Sequence, residues 1–297
     1  MKFIIIGASG FLGGYTMAYA KSKGYEVIGT QSSERKNGMV QFNLLEDRIE
    51  NKIKPSFFKG KEPVYGVICA AIRQIDECAK DKDVSYKVNV EKTIKLIGDL
   101  QKMGVKPVYI SSSFVFDGKR GQYVETDKRN PICEYGRQKA LVEDFIAKEV
   151  PNAFVIRPDK IIGSNPEEEH LLSEWSKLVK EGKGIACMKG QVFSPTLVDD
   201  IAKAIVLGCE KNLSGIYHVA SPETCTREEL AKQFIKALGK EGKIEIFSKP
   251  LGYFKFTDPR PLKTYLNCSK FISATGMGFT TTREVFNRFI NQEKFSK

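Results

Sequence analysis

KFIIIGASGFLGG, residues 2–14, runs four apolar side chains, Phe3 to Ile6, straight into Gly7, Gly10 and Gly13, after which a helix-length segment continues through Tyr15 to Lys23. An uninterrupted apolar run of this length reads as a strand buried on both faces. Glycines at the entry to the following helix permit a tight turn and close backbone approach. The helix start then offers unpaired N–H groups and the positive end of its dipole to an anion. The spacing is GxxGxxG rather than the commoner GxGxxG, and an ordinary strand-to-helix turn would use such glycines too. Directly after a wholly apolar first strand, the loop reads as a cradle for the pyrophosphate of a dinucleotide, with Gly7, Ser9, Gly10, Phe11, Leu12 and Gly13 against it.

The same alternation extends along the chain. YEVIGT (25–30), VYGVICAA (64–71), PVYISSS (107–113) and NAFVIRP (152–158) are short runs, mostly rich in Val, Ile and aromatic residues, and helix-length segments lie between most of them. This is the pattern of an α/β fold with a parallel sheet. Beyond Pro158 the rhythm changes. Residues 163–182 read as a loop and a helix, 191–208 as a connector and a helix, and GIYHVAS (215–221) as a last strand. TREELAKQFIKALG (226–239) follows as a helix, before a tail punctuated by Pro and Gly. The expected organisation is a nucleotide-binding domain over 1–160, rejoined by about 192–220, and a smaller lobe from 161–191 and 221–297.

The 297 residues, 41% of them hydrophobic, are enough for a large α/β core. No apolar run approaches the roughly 20 residues of a membrane helix. The run after Met1-Lys2 stops at Gly7, well short of the roughly 7–15 residues of a secretory segment, so a strand is expected there. Seven cysteines (69, 78, 133, 187, 209, 225, 268) form no CxxC pair. They read as reduced residues of a cytoplasmic protein, and with only His170 and His218 to join them no metal site is expected. The formal charge of +11 comes from Lys and Arg sprinkled among Asp and Glu without a basic block. A small anionic ligand explains it better than nucleic acid does.

A site for NAD ordinarily carries an acid about 20 positions after the glycines, hydrogen-bonded to the ribose hydroxyls. Here the second strand runs into Gln31, Ser32 and Ser33, then Glu34, Arg35 and Lys36. With no acid at Thr30 or Gln31, and with Arg35 and Lys36 available to a 2′-phosphate, NADP(H) is expected over NAD(H). Glu34 is the residue that would serve NAD, and a solvated turn is the plainer reading of Arg35 and Lys36.

EYGRQKALVEDFIAK (134–148) puts Tyr135 and Lys139 on one helix face with Val142 and Ile146. A phenol has an ordinary pKa near 10, and a neighbouring ammonium stabilises its phenolate. Such a pair can hand a proton to a carbonyl oxygen as hydride arrives at the carbon. The spacing recurs at Tyr19 and Lys23, in the middle of the first helix, where packing is the expected role. Tyr135 differs by position. It opens a helix about 23 residues after Ser111, Ser112 and Ser113, which end a strand, and ligands in such sheets bind beyond the carboxyl ends of strands.

These stretches resemble the extended short-chain dehydrogenase/reductase family, and within it the dTDP-4-dehydrorhamnose reductase-like group. GASGFLG is similar to its nucleotide loop, and CAAIRQIDECAKDKDVSYKVNV to its fourth-strand segment. ISSSFVFDGKRGQYVETDKRNPICEYGRQKALVE looks like its active-site stretch, while VIRPDKIIG, GIYHVASPETCTREELA and RPLKTYLNCSKF look like later motifs. The resemblance implies a Rossmann-like doubly wound parallel sheet with a smaller C-terminal substrate-binding lobe. It places Ser112 at the reacting carbonyl, Tyr135 as proton donor and Lys139 on the ribose and the phenol. It adds Ser32, Arg35, Asn43, Leu44, Cys69, Ala70, Ala71, Asn89, Arg157 and Pro158 to the cofactor's surroundings; a helix hydrogen bond is the plainer role for Asn89.

The departures bear on substrate. The Asp-Glu pair of the wider family's dehydratases is replaced by Ser113 and Phe114, which disfavours dehydration. Lys160 stands where the rhamnose-forming reductases carry a tryptophan, and a shortened CAAIRQID segment brings Arg73 near the pocket. Arg73, Ser113, Phe114, Lys160 and Arg260 are thus expected toward the sugar, with surface charge the plainer reading of Arg73 and Lys160. Trp175 reads as core, and Asp199 and Asp200 as helix-start acids. The resemblance implies an NADP(H)-dependent reductase of a nucleotide-diphosphate 4-keto-6-deoxy sugar. An NAD-dependent epimerase and a non-catalytic NADP-binding regulatory subunit are its alternatives. The helices around 86–103 and 135–149 are candidates for pairing in a homodimer.

Overall fold

The computed structural model describes residues 1–32 and 38–295. The apolar runs become β1 (Lys2–Ile6), β2 (Glu26–Gln31), a short β3 (Val40–Gln41), β4 (Val64–Ile68), β5 (Lys106–Ile110) and β6 (Phe154–Arg157). After them come β7 (Lys160–Ile162), β8 (Ile185–Met188), β9 (Val192–Phe193), β10 (Pro195–Leu197), β11 (Gly215–His218), β12 (Cys225–Thr226) and β13 (Ile246–Lys249). The helices are α1 (Phe11–Ser22), α2 (Ile75–Lys80), α3 (Lys82–Tyr86), α4 (Thr93–Lys102), α5 (Glu134–Glu149), α6 (Leu171–Lys180), α7 (Val198–Glu210), α8 (Arg227–Ala237), α9 (Ser269–Thr275) and α10 (Thr282–Phe295).

Seven strands form one parallel sheet in the order β11-β6-β5-β4-β1-β2-β3. The chain order reverses between β1 and β4, where Ile6 pairs with Ile68. In doubly wound sheets a crevice opens beyond the strand ends at such a point. The apolar run of β1 serves both faces by simple alternation. Phe3 and Ile5 join Ile201 and Ile205 of α7 on one side, while Ile4 and Ile6 join Leu96 of α4 and Val142 and Ile146 of α5 on the other.

The second lobe has its own core. Leu172, Trp175 and Val179 of α6 pack with Leu230 and Phe234 of α8 and with Phe286 and Phe289 of α10. Trp175 is buried, 6.4 Å between ring centroids from Phe234. Residues of the lobe expected at 221–297 also pack into the first domain, where Leu266 and Cys268 share a core with Val115, Phe116 and Tyr123. Phe271 of α9 and Met277 sit in the core of the first domain, and the Asp200 carboxylate accepts from the Thr280 backbone N–H (2.7 Å) and hydroxyl (3.0 Å). The tail thus returns to the sheet because its apolar residues complete that core. No helix among the described residues is long and apolar enough to cross a membrane.

Candidate active site

A cleft of about 720 Å³ lies over the reversal point. Gly7, Ser9, Gly10, Phe11, Leu12, Gly13, Ser32, Asn43, Leu44, Cys69, Ala70, Ala71 and Pro158 all line it, as do Ser112, Tyr135 and Lys139. A Cβ at Gly13 would collide with the Gly7 carbonyl oxygen, so only glycine lets α1 start this close to β1. No side chain caps the start of α1, and its first turn carries no acid. The first N–H groups and the helix dipole therefore face the cleft without competition, which fits the pyrophosphate of a nicotinamide dinucleotide. Arg35 lies outside the described residues.

Two residues expected at the cofactor have other roles. Asn89, on a π-helical stretch (Lys87–Lys92), is buried. It accepts from Ile72 N–H and donates to the Ile72 carbonyl, both at 2.9 Å, and donates to Gln138 at 2.8 Å. It holds the backbone of the cleft wall rather than lining the cleft. Arg157 is 1% exposed. Its Nε and Nη2 donate to Glu143 at 2.9 and 2.6 Å, and its guanidinium lies over the Phe116 ring. That pair turns the side chain away from the cleft.

The three serines separate. Ser111 is buried and donates to Glu143 of α5. The half-buried Ser112 accepts from Phe114 N–H at 3.2 Å and lines the cleft together with Tyr135. Ser113, expected toward the sugar, is 1% exposed and instead donates to Asp159 at 2.8 Å. A bend at the strand end explains the split, because successive side chains there point in different directions. Helix α5 is pressed onto this bend, since a Cβ at Gly136 would collide with the Phe114 carbonyl oxygen. Asp258 accepts from Glu134 N–H at 2.5 Å at the start of that helix.

Lys139 is buried, donates to the Ile110 carbonyl at 2.8 Å, and stands 5.5 Å from the centre of the Tyr135 ring. Burial pushes its pKa down to about 8. Burial also raises the Tyr135 phenol above its ordinary value, with smaller contributions from Cys78 and Cys133, while Ser112 and Arg73 pull it back. The lowering of the phenol expected from a neighbouring ammonium is thus outweighed by desolvation. At neutral pH the tyrosine keeps its proton, the state a proton donor needs.

A second cleft, about 510 Å³, shares Arg73, Ser112, Tyr135, Asp159, Lys160 and Ile161 with the first. Phe114 and Arg260 line it too. The sequence reading missed Arg227, Phe254 and Phe256 on this wall and His170 and Glu174 over the first cleft. Arg227 opens an amphipathic helix, and nothing in that pattern signals a ligand. Phe254 and Phe256, stacked at 5.6 Å, sit in the irregular tail. Among the described residues no cluster of His, Cys, Asp and Glu is arranged to hold a metal ion.

Comparisons with known proteins agree with this architecture. The chain is 26% identical over 292 residues to the spore coat polysaccharide biosynthesis protein SpsK of Bacillus subtilis, covering 98% of this chain and 97% of that protein. It is also 26% identical to methionine adenosyltransferase 2 subunit beta of Danio rerio, over 91% of this chain and 83% of that protein. The dTDP-4-dehydrorhamnose reductase from Bacillus anthracis, crystallised in complex with NADP, superposes with a TM-score of 0.83 at 24% identity, covering 98% of this chain and all of that one. The model of the RmlD substrate binding domain matches residues 1–295. Its span over both lobes and all of the site residues just described makes the chain a member of the RmlD substrate binding domain family.

Proposed function

We propose that this chain is an NADP(H)-dependent reductase of a nucleotide-diphosphate 4-keto sugar, of the 6-deoxy kind that the family resemblance implies. The observation that carries the reading is the meeting of two clefts at Ser112 and Tyr135. Bound in the first cleft, a reduced nicotinamide dinucleotide would supply the hydride for the carbonyl carbon. Ser112 hydrogen-bonds the carbonyl oxygen, Tyr135 donates its proton to that oxygen, and the Lys139 ammonium stabilises the phenolate left behind. The glycine loop and α1 hold the cofactor's pyrophosphate. The NADP complex of the Bacillus anthracis reductase and the polysaccharide pathway named for SpsK support this choice of cofactor and substrate class.

The test is NADPH absorbance against a panel of nucleotide-diphosphate 4-keto sugars. Oxidation with one of them is expected, and no oxidation with any would overturn the reading. Bound NAD in the purified protein would favour an epimerase. Likeness to methionine adenosyltransferase 2 subunit beta is the observation favouring a regulatory subunit, but Ser112, Tyr135 and Lys139 stand together in this chain as a reductase requires.

The reduction should also depend on pH with a definite sign. Lys139, held near 8, loses its charge as pH rises through that value. The rate is expected to be flat around neutrality and to fall on the alkaline side, since an uncharged amine does not stabilise phenolate. A profile that stayed level well above that value would remove Lys139 from proton handling.

A further inference from the structure

Four cations face the second cleft: Arg73, Lys160, Arg227 and Arg260. Arg260 has an ion pair, 2.8 Å to Asp76. Arg73, Lys160 and Arg227 have none among the described residues. The acids near them are otherwise engaged or solvated. Asp159 on the shared wall accepts from Ser113 at 2.8 Å and from Ser194 N–H at 2.6 Å. Glu174 of α6 is exposed and makes no ion pair to either Lys160 or Arg227 among the described residues, though it acts on both through space. Burial first, then the nearby Arg227 and Arg73, against the opposing pull of Glu174 and Asp159, bring Lys160 down to about 8. Like charges partly withdrawn from water and left without a counterion destabilise a fold. Their combination makes sense as a site for anions.

A substrate diphosphate accounts for only part of this charge. It is attached at C1, across the sugar ring from a reacting C4. Arg227 and Arg260 line the second cleft and not the first. Arg73 and Lys160 line both clefts, beside Ser112 and Tyr135, where the carbonyl end of the ring must lie. A neutral sugar presents only uncharged groups, such as hydroxyl, methyl or acetamido, to them.

Resting on the reductase reading, we propose that the sugar carries a carboxylate on a substituent next to the reacting carbon, held by Lys160 and Arg73, while Arg227 and Arg260 serve the diphosphate. Such a carboxylate stands either on the C3 substituent of a 6-deoxy sugar or in place of its 6-methyl group. This is a specificity distinction that the fold alone does not make.

The experiment is calorimetric binding to the NADP⁺-loaded protein, with stable sugars in two acid and neutral pairs. UDP-glucuronic acid is compared with UDP-glucose, and UDP-N-acetylmuramic acid with UDP-N-acetylglucosamine, with UDP and dTDP alone as references. In at least one pair the acid should bind about 10-fold or more tightly than its neutral partner, the scale of a charge-assisted hydrogen bond. Lys160→Met should cut that ratio about 10-fold, Arg73→Gln should reduce it, and Lys160→Arg should keep it, which separates charge recognition from a structural role. If the nucleotides bind but acid and neutral sugars bind alike in both pairs, this inference is overturned and the reductase reading stands. If neither these nucleotides nor GDP, CDP or ADP bind, and no sugar nucleotide does, the reductase reading falls and takes the inference with it.

Discussion

Replacing Tyr135 with phenylalanine is expected to lower kcat for carbonyl reduction by about 10²–10⁴-fold, the usual contribution of a positioned proton donor. The substitution removes one oxygen and little else. The ring keeps its edge contact with Phe114 at 6.4 Å, and Lys139 keeps its bond to the Ile110 carbonyl. The lost group is the one whose raised pKa keeps a proton ready at neutral pH. Because proton transfer belongs to the transition state, the loss should appear in kcat rather than mainly in KM. The measurement is NADPH oxidation with whichever keto sugar the panel identifies. A variant within about threefold of the parent rate would be incompatible with a proton-donor role.

The parts of this molecule legible in the sequence are those with a strong local cause. The first strand and the glycine loop follow from an unbroken apolar run and from turns that only glycine allows, and the short Val- and Ile-rich runs after them all enter one sheet. The partners of buried polar groups were not legible, since these are set by contacts between segments far apart in the chain. Arg157 ends a strand, as a cofactor ligand would, yet it points to Glu143, fourteen positions earlier. Ser113 sits beside a residue at the cleft and turns to Asp159. Asn89 holds Ile72 because a π-turn faces it inward. The lobe boundary was blurred for a similar reason. Burial of Phe271 and Met277 against the sheet is a tertiary fact with no local signature.

The Glu143–Arg157 pair leads to the second large effect, this one on stability. Their side chains are 0% and 2% exposed. Glu143 also accepts from Ser111 of the bend and from Arg129 at 3.2 Å. Arg157 Nη1 lies 3.3 Å from His218 Nε2, and Nδ1 of the same ring is 3.0 Å from the Tyr123 carbonyl. Burial, and then Arg157 itself, push His218 down to about 3, so the ring is neutral. With the proton on Nδ1, it donates to that carbonyl and accepts from the guanidinium through Nε2. Glu143→Leu would leave Arg157 in the core with no carboxylate, and removing one partner of a buried pair costs about 3–5 kcal/mol. That is a large fraction of the roughly 5–15 kcal/mol that holds a domain folded. It should appear as a lower urea midpoint at an unchanged slope. The double variant Glu143→Leu with Arg157→Met should recover much of the loss, because the core then contains no unpaired charge. Since Glu143 lies on α5 with Tyr135 and Lys139 and ties that helix to β6, the single variant should also lose turnover under conditions where it remains folded. A single variant as stable as the parent would mean that water or another group compensates Arg157, and that α5 is positioned by its Gly136 contact with the bend and by Asp258 instead.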